Sequence, residues 1–93
     1  MKGPRSLEEL DALLTTGAYT ITTISGAVLD GKSISWSILL VFHCGTPTPE
    51  YTMQILLPIS GSTSGDRLYY RFYSDSWSPW KRIDTTDVGN IST

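Results

Sequence analysis

Apolar residues occupy every second position from Ile34 through Trp36, Ile38 and Leu40 to Phe42. That period commits the middle of the chain to an extended strand, because only a strand turns successive side chains to opposite faces. Leu39 and Val41 make the other face apolar too, which predicts a second half buried on both sides. The same period returns in Tyr51, Met53, Ile55 and Leu57. It returns again in Leu68, Tyr70 and Phe72, set against Tyr69, Arg71 and Tyr73. Ala18 to Ile24 alternates more weakly, and Trp80 to Ile83 reads as a last short strand.

One segment breaks this pattern. Leu7, Leu10 and Leu14 recur at helical spacing, with Leu13 beside them. Ser6-Leu7-Glu8-Glu9 fits a capping box, and Glu8, Glu9 and Asp11 suit the positive end of a helix dipole. With Gly17 as the stop, a helix of roughly two to three turns is expected. It is too short to stand alone in water, so it must lay its leucines on the sheet. Asp30-Gly31 is a tight-turn signal between strands. Two prolines in 45–50 and the Ser/Gly-rich stretch 60–66 mark loops.

One short helix followed by strands predicts an α+β, mostly β domain: a helix packed on a small curved antiparallel sheet of about five strands. The domain is expected over residues 6–84, with 1–5 a tail or linker and 85–93 a C-terminal linker. At 93 residues its margin of stability is thin, and help from a neighbouring copy or domain would be unsurprising.

Composition narrows the function classes. A net charge of -2 and scattered basic residues argue against nucleic-acid binding. The longest apolar run, Ile38 to Phe42, is too short to insert across a bilayer. The single cysteine, Cys44, permits neither an internal disulfide framework nor a cysteine-paired zinc site. His43 is the only histidine, and as a strand neighbour of Cys44 it points to the opposite face. Asp66 and Asp75 could approach each other across a hairpin, but acids in loops pair by chance. No catalytic constellation, cofactor or metal site is expected.

What remains is recognition. Residues 68–83 hold two of the three tryptophans and three of the five tyrosines. So dense an aromatic segment is either the cement of a small β-domain or a stacking surface for a ligand. Tyr69, Arg71 and Tyr73 share one face of a strand; open, that face sets two rings beside a guanidinium, suited to a sugar. Closed, it pins Arg71 between the two tyrosines against a carboxylate of a neighbouring strand. Trp36 and Asp66 join these three as binding candidates. Tyr19, Trp77 and Trp80 are expected to form a structural aromatic cluster.

Leu7-x-x-Leu10 followed by Leu13-Leu14-Thr15-Thr16-Gly17-Ala18-Tyr19 resembles the opening of the knob domains of bacteriophage tail fibres and R-type pyocin fibres. Leu39-Leu40-Val41-Phe42 and Tyr51-Thr52-Met53-Gln54-Ile55 resemble the central strands of that family. Tyr69-Tyr70-Arg71 with Ser76-Trp77-Ser78-Pro79-Trp80-Lys81-Arg82-Ile83 resembles its closing signature. Ser25-Gly26-Ala27-Val28 stands where the family carries an Asn-Ala-Pro-like segment.

The resemblance implies a non-catalytic knob of a phage or prophage-derived tail fibre, on the virion or particle and facing the extracellular side. There it would contribute to host attachment and fibre structure, often as a homotrimer. Its partner would be bacterial surface polysaccharide or another host receptor. The resemblance gives Gly17, Tyr19, Arg71, Trp77 and Trp80 folding roles and leaves receptor choice to loops 25–33, 45–50 and 60–66. Two alternatives stand beside it. One is an assembly module without ligand binding, with Leu56, Ile59 and Trp36 as trimer contacts. The other is a carbohydrate-binding appendage of a bacterial surface enzyme.

Overall fold

The computed structural model describes residues 2–44, 51–59 and 67–92. Helix α1 spans Leu7–Ala12. Its N-cap Ser6 is extended, and the Ser6 hydroxyl accepts the Glu9 backbone N–H at 3.1 Å. The Glu9 carboxylate reaches back to the Arg5 N–H at 3.0 Å, one residue beyond the reciprocal partner of a strict capping box. The helix stops well before Gly17, because Leu13 is already extended. Gly17 instead opens the first strand.

Six strands follow among the described residues: β1 Gly17–Leu29, β2 Lys32–His43, β3 Thr52–Pro58, β4 Arg67–Ser74, β5 Ser76–Trp77 and β6 Lys81–Asp84. All pair antiparallel in one open sheet ordered β1-β2-β3-β4, and both β5 and β6 pair with β4. The sheet is therefore five strands wide, with its last place shared by two short pieces either side of Ser78-Pro79-Trp80. The fold is the mostly β, one-helix architecture that the alternation predicts.

The segment 25–33 is not a loop, as its glycines suggested, but the far end of the β1–β2 hairpin. Asp30 and Gly31 turn it with φ of 56° and 78°, the left-handed pair that a two-residue hairpin requires. Between Thr23 and Val28 the register with β2 shifts, and Gly26 lies there with φ of 75°. Extra residues on one strand bend and twist a ladder. The bend carries the tip back over the sheet. Asp30 there accepts the Tyr69 hydroxyl at 2.9 Å and pairs with Arg67 at 3.3 Å and Arg82 at 3.0 Å. These partners lie on β4 and β6, two and three places across the sheet from β2. Their hydrogen bonds draw the Asp30 carboxyl below its usual pKa.

Helix and hairpin tip thus cover the same inner face. Beneath them lie Leu10, Tyr19, Ile21, Ile24, Ile34 and Leu39, with Val41, Leu56 and Tyr69 completing the core. The ladder from Ile34 to Phe42 does not stay on one face. Trp36 has φ of 32°, a genuine outlier for a bulky residue, and the alternation slips there. Ile34 is buried, but beyond the slip Ser37, Leu39 and Val41 point inward, while Ile38 and Phe42 are exposed. In β3 the inward set is Thr52, Gln54 and Leu56, not the more apolar Met53 and Ile55. In β4 it is Tyr69 and Arg71.

The free edge of β1 is partly covered. The Gly3 N–H donates to the Thr20 carbonyl at 2.8 Å, and Lys2 bridges Thr20 in parallel. A Cβ on Gly3 would collide with the Thr20 backbone carbonyl. The opposite edge, β6, is exposed throughout and carries Lys81, Arg82 and Asp84. Charge along an edge discourages pairing with another sheet.

Candidate functional site

The inner face converges on Arg71. Its guanidinium carbon stands 3.9 Å from the centre of the Trp77 ring and 4.6 Å from that of Trp80. Nε donates to Gln54 Oε1 at 2.9 Å, and one terminal nitrogen donates to Asp11 Oδ1 at 2.9 Å. Burial pulls the Arg71 pKa below the usual guanidinium value, against the upward pull of Asp11. The group remains charged at neutral pH.

Gln54, fully buried, relays this charge to the helix. Its Nε2 donates to the carbonyls of Leu10 at 2.8 Å and Leu13 at 3.0 Å. Trp77 Nε1 donates to the Asp11 carbonyl at 2.9 Å. A helix leaves its last carbonyls without internal partners; here the sheet supplies donors to them. A cation beside this end also complements the helix dipole. The early stop after Ala12 and the clamp are one feature.

This arrangement closes the face that, left open, would have offered a sugar platform. Arg71 is 6% exposed and Tyr69 7%. Tyr69 spends its hydroxyl on Asp30, and burial with that carboxylate raises its pKa. Tyr73 is half-buried, edge-on to Trp77 at 5.1 Å. Arg71 is pinned between two tryptophans from the chain's end, against a carboxylate from the helix. Trp80 packs on the core, and Tyr19 lies within it with its hydroxyl on the Thr15 carbonyl. Trp36 stands apart, 54% exposed. Asp66 lies outside the described residues, as do loops 45–50 and 60–66. Leu56, expected at a trimer contact, is a core residue at 3% exposure, because its alternation with Gln54 turns it under the helix.

Two partners in the clamp were not picked out from sequence: Gln54 and Asp11. Gln54 carried a signal, since a lone amide in Tyr51–Leu57 needs partners if buried.

Among the described residues, the outer face is the open one. Pairing aligns Phe42 with Met53 and Met53 with Phe72 across β2, β3 and β4. The next row runs Leu40, Ile55, Tyr70 and Lys81, and beyond it Ile38 pairs with Leu57 and Leu68 with Ile83. Phe42 is 49% exposed and Phe72 44%, with Tyr70 edge-on to Phe72 at 5.7 Å. Tyr51 and Cys44 extend the first row into a groove of about 680 Å3. On β1 the same face changes character to Ala18 and Thr20.

Among the described residues no cluster of histidine, cysteine or acids could hold a metal ion. Among the described residues no helix is long and apolar enough to cross a membrane. The His43 ring makes a 3.1 Å contact with the Thr52 hydroxyl. No family model, no curated protein and no solved structure matches this chain.

Proposed function

We propose that this chain is a non-catalytic knob of a bacteriophage or prophage-derived tail fibre, contributing to fibre structure and host-surface receptor binding. The observation that carries this reading is the outer face, which none of the described residues covers. A domain that clamps its own polar network shut on one side and leaves an apolar, nearly uncharged sheet on the other works by contact. The order of helix, strands and Trp-x-x-Trp closure that resembles fibre knobs points to a fibre as its setting.

Of the two halves of this function, assembly is favoured. The inner-face residues with the best chemistry for a glycan, Tyr69 and Arg71, are committed to the fold. Receptor contact is left to exposed groups such as Trp36 and to the variable loops.

Tryptophan fluorescence during titration with a panel of bacterial surface polysaccharides tests the receptor half. A saturable change with one of them supports it. A flat response throughout removes glycan binding from this domain. Release of shorter sugars from any polysaccharide would overturn the non-catalytic reading.

A further inference from the structure

We infer that the outer face is the surface through which copies of this chain pack against one another, sheet on sheet. The inference deepens the assembly half of the reading above. It is tested by mass in solution, which no glycan enters, so the two fail separately.

Size is the first argument. Four residues of this face, Ile38, Phe42, Phe72 and Ile83, are each 37–49% exposed. Leu40, Met53, Ile55, Leu57, Leu68 and Tyr70 fill the ground between them, half-buried. With aromatic side chains of about 150–250 Å2 each, such a set presents several hundred Å2 of contiguous apolar surface. A patch of that size is the largest that a typical monomer exposes, about 300–600 Å2 and often functional, and is a large part of the roughly 800 Å2 that each partner gives to a specific interface.

Chemistry selects the occupant. The rows of β2, β3 and β4 on this face contain no charged side chain, and the first charge met is Lys81 on the edge strand. Depletion of charge with enrichment of Phe, Tyr and Met is the composition of an interface core. A glycan needs converging polar groups to fix its hydroxyls, and the two central rows offer only the Tyr70 hydroxyl before Lys81. A lipid surface would call for a basic rim, whereas the chain carries a net charge of -2. An identical sheet meets every requirement of this one, because two such faces pack about 10 Å apart with interdigitating side chains.

The edges point the same way. β6 is lined with charge and β1 is partly covered by Lys2 and Gly3 at Thr20, so extension of the sheet edge to edge is disfavoured. The change to Ala18 and Thr20 on β1 bounds the patch on that side.

The test is the mass of the full chain by sedimentation over a wide concentration range, for wild type, Phe72→Lys and the control Val28→Lys. Val28 is 66% exposed on the hairpin that folds over the inner face. The expected result is a dimer for wild type and for Val28→Lys, since a face packed on its own copy closes at two chains. Phe72→Lys should dissociate at concentrations more than about tenfold higher than wild type. A wild-type monomer at every concentration overturns the inference and leaves the face to a different protein. An oligomer indifferent to Phe72→Lys also overturns it. Should that variant not fold, the wild-type melting temperature decides: it must rise with protein concentration if copies associate, and a constant value refutes association.

Discussion

Replacing Gln54 with leucine tests the clamp in one step. Leucine fills nearly the same volume but makes none of the three hydrogen bonds of the amide. Those run to the Leu10 carbonyl at 2.8 Å, to the Leu13 carbonyl at 3.0 Å and from Arg71 Nε at 2.9 Å. The arginine N–H is the costly loss, since a hydrogen bond to a charged group contributes about 1.5–3 kcal/mol. Each carbonyl adds about 1 kcal/mol, less for Leu10, which keeps a 3.3 Å bond from the Leu13 N–H. The sum is about 3–4 kcal/mol, a large part of the stability of so small a domain. It should lower the melting temperature by about 15–25 °C. Urea unfolding followed by tryptophan fluorescence measures it, at one fixed protein concentration so that association does not enter. A loss under about 1 kcal/mol would refute the view that the amide ties helix to sheet.

Asp30→Asn should destabilise the protein at neutral pH, and the gap from wild type should close in acid. The folded-state pKa of Asp30 lies below its ordinary 3.8, so its contribution is complete above that value and is lost as pH falls through the lowered one. Unfolding at a series of pH values checks this; a gap constant to low pH would contradict it. Tyr69→Phe removes only the hydroxyl on the Asp30 carboxylate and should cost about 1.5–3 kcal/mol, the range of a hydrogen bond to a charged group, read as a shift of the urea midpoint. Gly3→Ala should release residues 2–3 from β1, exposing the Thr20 carbonyl and speeding hydrogen exchange along that edge. Exchange as slow as wild type would mean that the edge does not depend on this contact.

The strands were legible because their side chains alternate, and α1 because Ser6 and Glu9 form a capping signal. The helix end was not legible. Gly17 looked like the stop, but donors on Gln54 and Trp77, far along the chain, capture the carbonyls after a single turn and a half. The facing of β2 was hidden for a local reason. One strained residue, Trp36, shifts the phase, so that Leu39 and Val41 point inward in place of the ladder that includes Ile38 and Phe42. Burial of Thr52, Gln54 and Arg71 under the helix ran against hydrophobicity. Alternation shows that two faces differ, not which one is covered. When both are apolar, polar groups with partners settle the choice. The ring-guanidinium-ring grouping was legible in outline, but Trp77 and Trp80 take the places given to Tyr69 and Tyr73. The turn at Asp75, with φ of 70°, brings them there.

The central claim is that the outer face makes the contacts and the inner face holds the fold. Met53 lies in the middle of the row from Phe42 to Phe72, and the chain has just one other methionine, Met1. A 13C-methyl spectrum of methionine-labelled protein therefore reports on that face through one assignable signal. On dilution the Met53 methyl resonance should move toward a monomer position that Phe72→Lys already occupies. A Met53 signal unchanged across a dilution series that takes the sedimenting oligomer to monomer would place the contact elsewhere and contradict the account.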